Sequence, residues 1–408
     1  MSQGNNRGSK SMKRVENLEP IPTDLMLEIF SRLPAKSIGR FRCLSKLWGS
    51  MFGRPYFTKL FLTRSTARPR LLFVVVRDGE WSFFSSPQPH DPYGKSSLVV
   101  AADFHTKFSG NISHYDCGYA SGLIYFPDMW ISKEAVAMIC NPITGQYVIL
   151  PKPDIYKNST SFLGFDPIGK QFKVLAEAYP FCSERDHHKT LTLGNGKLRW
   201  RKNLHCPKYG SCLTEEICIN GVLYYLVEGS SYAIVCFDVR SEKFKLIDAE
   251  CFSDPHPTKL INYKCKLGVI CWDSDDAIIE LRMWVLEDVE KQEWSQYVYS
   301  FPDEDKIVHS SVIGVTSTSE IVLSMKIVWA SEPFYVFYFN PERNTLQRTE
   351  IQGLSNLEAL EGGIVYAFVD HIEDLCVSDA KQLKSSFPVG KMKQKKQKNN
   401  KKKKTTKR

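Results

Sequence analysis

Residues 140–150 read CNPITGQYVIL, and the same order of residue types returns as FDPIGKQFKVL at 165–175, FDVRSEKFKLI at 237–247 and FNPERNTLQRTEI at 339–351. A weaker copy, LEDVEKQEWSQYVY, occupies 286–299. Each copy is an apolar strand end, an Asn or Asp, a short polar turn, and a returning apolar or aromatic strand. Asn and Asp side chains bond the backbone of their own turn, so each copy predicts an antiparallel hairpin. The anchors Asn141, Asp166, Asp238, Asp288 and Asn340 lie 25, 72, 50 and 52 residues apart, close to one, three, two and two multiples of 25.

Around these hairpins the texture is uniform. LLFVVV, SLVVAADF, AVAMIC, VLYYLV, AIVCFDV, IVLSM and FYVFYF are β-branched or aromatic runs of strand length. Turn dipeptides such as Asp78-Gly79, Asn195-Gly196 and Asn220-Gly221 separate them. No amphipathic helix is apparent between about Arg70 and Glu350. Two units of 25 make about 50 residues, the period of a kelch-type propeller blade. A four-stranded blade cannot bury both of its faces alone, so blades stack in a ring. The fold class expected is a small all-α module followed by a large antiparallel all-β domain, propeller-like with about six blades; a large β-sandwich is the alternative.

The helical module precedes Arg70. In LMLEIFSRL, residues Leu25, Ile29 and Leu33 fall at i, i+4 and i+8, with Met26 and Phe30 beside them. Pro22 opens the run, Thr23 or Asp24 can satisfy free amides of the first turn, and Pro34 ends it. A second helix is expected from an N-cap at Ser37, with Ile38, Phe41, Leu44, Trp48 and Phe52 on one stripe and Arg40, Arg42 and Lys46 solvated. YFTKLFL adds a short third helix after Pro55.

The run from Pro22 to Trp48, PTDLMLEIFSRLPAKSIGRFRCLSKLW, closely resembles the plant F-box. The later segments GLIYF, NPITGQY, GFDPIGKQFKVL, ICINGVLYYL and IVCFDVRSEKFKLI resemble, in order, the F-box-associated domain of the large plant F-box families. Departures are mild: Ile21 stands where Leu is usual, Leu44 replaces the common Val, and Gly49 replaces a common Arg, which weakens its helix by up to ~1 kcal/mol. The resemblance implies a substrate-recognition adaptor of a Skp-cullin-F-box ubiquitin ligase. It implies docking on a Skp-family adaptor, and through it on a cullin, by Ile21, Pro22, Leu25, Ile29, Leu33, Pro34, Ile38, Leu44 and Trp48, while the β-domain holds a protein target. The domain expectations are a disordered 1–17, an F-box at 18–62, the recognition domain at 70–385 and a disordered basic tail at 386–408.

Composition agrees with a globular body: 43% of residues are hydrophobic, 24% charged and 12% aromatic. The formal charge of +9 is misleading, because residues 391–408 hold ten Lys, one Arg and no acid, which leaves −2 for residues 1–390. A global basic surface for nucleic acid is therefore not implied, and the tail has no aromatic residue on which bases could stack. Lys401, Lys402, Lys403 and Lys404 suggest nuclear import, with an inert solvated tail as the alternative, and the expected location is the nucleus, the cytoplasm or both. The opening MSQGNNRGSKSMKR has no apolar core of a signal peptide, and no run is long enough to cross a membrane.

Twelve Cys are scattered without a framework, as expected of reduced thiols. Cys182, His187, His188, Cys206 and Cys212 do not match zinc-site spacing, so no metal or other cofactor is expected. No G-x-S-x-G, H-E-x-x-H or P-loop is present, and no catalytic role is expected. Tyr93, Trp130 and Trp81 are candidate target-contacting aromatics, weighed against an ordinary place in the core. A cullin-independent propeller scaffold and a carbohydrate or glycoprotein reader are the alternative functions.

Overall fold

The structure, a computed structural model, describes residues 21–375 apart from 90–97, 113–116, 132–133, 154–158, 179–187, 195–196, 203–210, 213–215, 229–231, 250–257, 273–276, 279, 302–306, 330 and 355–357, together with Leu383 and Ser385–Ser386. The expectations for residues 1–17 and for the tail fall outside these residues.

Four helices come first: α1 Thr23–Phe30, α2 Ala35–Leu44, α3 Lys46–Phe52 and α4 Pro55–Thr66. Pro22 and Pro34 hold the N-cap positions of α1 and α2 without a side-chain cap, so neither Thr23 nor Ser37 plays the role expected of it. The expected single second helix is broken at Ser45, which is extended (φ −157°, ψ 157°) and accepts the Trp48 N–H on its Oγ at 3.2 Å. Ser45 is thus the N-cap of a separate helix. Arg42 is not simply solvated either: its Nη2 donates to the Phe52 carbonyl at 2.8 Å and braces α2 against the end of α3. Phe30 sits at the middle, with its ring 4.9 Å from Phe41, 4.6 Å from Trp48 and 5.0 Å from Phe52. Such edge-on aromatic pairs add about 0.5–1.5 kcal/mol each beyond the area they bury.

Six blade sheets of four to six strands follow, antiparallel but for one parallel pair at the edge of the last, with a separate two-stranded ribbon of Ala277–Ile278 and Ile307–Val308. Blade 1 comprises Arg70–Arg77, Glu80–Pro87 and Asp103–Ser109, with the C-terminal strand Ile364–His371 on its inner side. Blade 2 opens with Gly118–Ala120, blade 3 with Ser159–Asp166, blade 4 with Ile217–Ile219, blade 5 with Thr258–Tyr263 and blade 6 with Ser310–Val315. These inner strands adjoin one another in that order around the axis. Six apolar cores alternate with the six sheets, one between each neighbouring pair of blades. A β-sandwich would have one core between two sheets, so the architecture is a six-bladed propeller. Burial on both faces explains why Leu71 to Val76 are all buried rather than alternating.

The predicted hairpin turns are present at all five anchors. Asn141 Oδ1 accepts the N–H groups of Ile143 and Thr144, Asp166 that of Ile168, Asp238 that of Ser241, Asp288 those of Glu290 and Lys291, and Asn340 those of Glu342 and Arg343. Four of them join the third and fourth strands of blades 2, 4, 5 and 6, whereas Asp166 joins the first and second of blade 3. The 25-residue unit is therefore one hairpin, and a blade is two. Because strands alternate in direction, all five turns lie at the same end of the ring. At that end Gly221 (φ 88°) closes a two-residue turn with Asn220 (φ 50°), a conformation that favours Gly.

The ring is closed twice. Ile364–His371 pairs with Arg70–Arg77, and Leu98–Ala101, from the long excursion inside blade 1, adds a parallel strand to the outer edge of blade 6 along Thr349–Gln352.

Candidate docking surface

The stripe that the periodicity groups together is divided by the packing. Leu27 and Phe30 point inward, into a core shared with Ile38, Met51, Phe52, Phe57 and Phe61. Ile21, Leu25 and Ile29 point outward and are 56%, 57% and 54% exposed. Pro22 and Pro34 are exposed, and Leu33 and Trp48 are half-buried against the core. Leu44 protrudes at 71% exposure from the α2–α3 corner, beside Leu47 at 73%, which sequence reasoning missed. Ile38 is completely buried and belongs to the core; its assignment to the docking surface is corrected. The surviving surface is a row of large apolar side chains in water, a feature that marks interaction sites when contiguous.

The helical module is seated on the propeller rather than tethered to it. Its core includes Ile143, from the Asn141 turn of blade 2, and Leu375, just past the strand Ile364–His371. Glu373 Oε2 accepts the first amide of α2, Ala35 N–H, at 2.9 Å, and the Glu373 N–H donates to Ser65 Oγ of α4 at 2.9 Å. Lys36 donates to the carbonyls of Phe104 and His105 at 2.8 and 3.0 Å. Burial raises the Glu373 carboxyl above the ordinary range and lowers the Lys36 ammonium below it. All these contacts lie at the end of the ring that carries the five hairpin turns.

The other candidate residues scatter. Trp81 is a core residue, contrary to the target-contact reading: it is buried, donates from Nε1 to the Gly110 carbonyl at 2.8 Å and lies edge-on to Phe126. Trp130 is 43% exposed near the end of the second strand of blade 2, on the face opposite the helices, where Trp329 is also exposed. Tyr93 lies outside the described residues. Of the Cys and His considered for zinc, His188 is buried 3.4 Å from the Glu177 carboxylate and Cys212 is half-buried; Cys182, His187 and Cys206 lie outside the described residues. Among the described residues no three His, Cys, Asp or Glu side chains are grouped to hold a metal, and no helix is long and apolar enough to cross a membrane.

A cavity of about 1050 Å³ runs along the propeller axis, with Leu62 of α4 and Leu383 among its lining residues. Its walls are mostly apolar. Asp370, one of its lining carboxylates, already accepts from Gln88 Nε2 and the Ser317 N–H, both at 2.7 Å.

An exposed apolar helical surface is mounted on one end of a six-bladed propeller. The family described as F-box domain matches residues 18–60, and that described as F-box associated beta propeller domain matches residues 70–372. F-box protein At3g57590 of Arabidopsis thaliana is 58% identical over 90% of this chain and 94% of its own length. The putative F-box protein At5g42430 of the same plant is 54% identical over 89% of this chain and 93% of its own length. A solved structure of a protein from Lactobacillus plantarum aligns over 74% of this chain and 99% of its own at 10% identity and a TM-score of 0.40, too remote to inform function. The chain belongs to the plant F-box proteins that carry an F-box-associated β-propeller domain.

Proposed function

We propose that this chain recruits a target protein to a Skp-cullin-F-box ubiquitin ligase. The observation that carries the reading is the outward row Ile21, Leu25, Ile29 and Leu44, exposed on helices whose opposite face is fixed to the propeller. Half of each helix is spent on the intramolecular core, so the exposed half is available to a Skp-family adaptor. A large-to-charged change there removes docking without emptying the core. Leu25→Asp/Ile29→Asp is expected to weaken capture by a recombinant Skp-family adaptor by at least about 100-fold while leaving the thermal midpoint unchanged. Undiminished capture rules against this docking face, and no capture of the wild type favours a cullin-independent scaffold.

The target side of the reading rests on topology. The helical module covers one end of the ring, which leaves the opposite end open to a target. Loops on a rigid scaffold are where recognition residues concentrate, and Trp130 and Trp329 stand exposed at that end. With docking at one end and recognition at the other, the propeller acts as a spacer of fixed length. It raises the effective concentration of the target's lysines near the conjugating enzyme.

The run Lys401–Lys404, outside the described residues, is proposed to direct nuclear import. Deletion of 387–408 is expected to lower the nuclear fraction of a fluorescent fusion at least about twofold; an unchanged fraction removes that role.

A further inference from the structure

Between Ser31 and Arg70 the chain carries ten Lys and Arg and no Asp or Glu. The region from Asp78 to Gly390 is the reverse, with 41 acidic against 28 basic residues. The near-neutral total for residues 1–390 therefore conceals a cationic helical module mounted on an anionic propeller.

Several of the ten cations have structural duties. Arg64 pairs with Glu28 at 2.9 Å, Arg70 pairs with Asp103 at 2.6 Å, Lys36 holds the two blade 1 carbonyls, and Arg42 braces α3. Arg40, Lys46, Arg54 and Lys59 do not: all four are exposed, and among the described residues none is in an ion pair. They are not distributed at random over the module. Arg40 lies one turn before Leu44 on α2, Lys46 stands between Leu44 and Leu47 at the α2–α3 corner, and Arg54 and Lys59 bracket Tyr56, itself 68% exposed. The most exposed apolar side chains of the corner are thus framed by cations that, among the described residues, have no anion paired with them. Concentrating like charges works against the isolated module through self-repulsion. It is useful to a surface that meets an anionic one, because complementary charge around an apolar contact speeds encounter and rejects wrong partners.

We infer that the docking face reaches across α2 to α4, beyond the α1 stripe, and that the partner it fits is a protein presenting carboxylates around an apolar groove. The inference rests on the adaptor reading above and adds the chemistry of the partner. An anionic membrane is the competing class of partner. The rigid, discontinuous leucine knob at the α2–α3 corner suits a shaped protein groove better than a fluid surface, and α4 directs Phe57 and Phe61 inward rather than offering an apolar face.

The test uses the full chain and a recombinant Skp-family adaptor, with affinity measured at about 50 mM and about 500 mM salt. Wild type is expected to bind at least about tenfold more weakly at high salt. The exposed triple change Arg40→Glu/Lys46→Glu/Lys59→Glu is expected to weaken binding at least about tenfold at low salt, with the gap to wild type closing at high salt. Leu44→Ser/Leu47→Ser is expected to weaken binding at both salts. Adaptor binding that ignores both salt and the triple change overturns this inference and leaves the adaptor reading standing; no binding by wild type at either salt overturns both. Capture on phosphatidylserine vesicles, lost in the triple variant while adaptor binding is untouched, reassigns the cations to a membrane and overturns the inference.

Discussion

Lowering the pH from about 7 to about 5 will cost the folded chain about 2–4 kcal/mol, because two histidines beneath the helical module are buried without charge. His371 is 1% exposed, with Nδ1 3.1 Å from the Tyr119 hydroxyl; His105 is 7% exposed, with Nε2 2.7 Å from Ser85 Oγ. Burial depresses both imidazoles to about 3, reinforced at His105 by His371, Arg70 and Lys36 and at His371 by Arg70. Between that value and the ordinary histidine range the unfolded chain binds the protons and the folded chain does not. Stability is therefore full above the unfolded value and falls as the pH drops through the window. Each histidine loses about 2 kcal/mol by pH 5. Asp370 and Glu373, whose carboxyls burial raises, act in the opposite sense and offset part of the loss. Denaturant unfolding at the two pH values measures the difference, and a His105→Gln/His371→Gln chain should lose most of it. Equal stability of the wild type at both pH values would refute the assignment.

The second large effect is expected at Glu242, which ties blade 3 to blade 4. Its carboxylate accepts from Lys173 Nζ at 2.7 Å, Arg201 Nη2 at 2.6 Å and Thr190 Oγ1 at 3.0 Å. Burial alone would raise this carboxyl, but the Lys173 and Arg201 bonds outweigh it and hold it below the usual range. Lys173 is the vulnerable partner: its side chain is 8% exposed, and without Glu242 its remaining acceptor is the Arg240 carbonyl at 3.3 Å. Breaking one side of a buried pair costs about 3–5 kcal/mol, largely by stranding the other charge. Glu242→Ala is therefore expected to lose about that much, and Glu242→Ala/Lys173→Met to recover most of it, since an apolar pair of similar size removes the stranded ammonium. If the double variant is no more stable than the single one, the stranded charge is not the cause.

What could be read from the chain follows from which features are local. The five Asx turns were visible because the anchor and the amides it satisfies are two or three residues apart. Blade 5's first hairpin was not, since it turns through Lys264 (φ 49°) and Cys265 (φ 65°), neither of which advertises a left-handed turn. The α2–α3 break at Ser45 was hidden because Leu44 and Trp48 keep helical spacing across it. The division of the α1 stripe was hidden for a different reason. Periodicity finds an apolar face but cannot say that Phe30 meets Phe52 while Ile29 meets water. The seat of the helices was the least legible feature, because Ala35 and Glu373 are 338 residues apart. The docking set implied by the resemblance includes Ile38, a residue whose apolar character serves the interior.

The double closure of the ring has a consequence for biosynthesis. The helices are translated before the propeller, yet their hydrophobic interior awaits Leu375, and blade 1 awaits Ile364–His371. A premature stop anywhere before codon 364 would strand the entire polypeptide as an open horseshoe with greasy ends, a client for chaperones and proteases rather than a shortened adaptor.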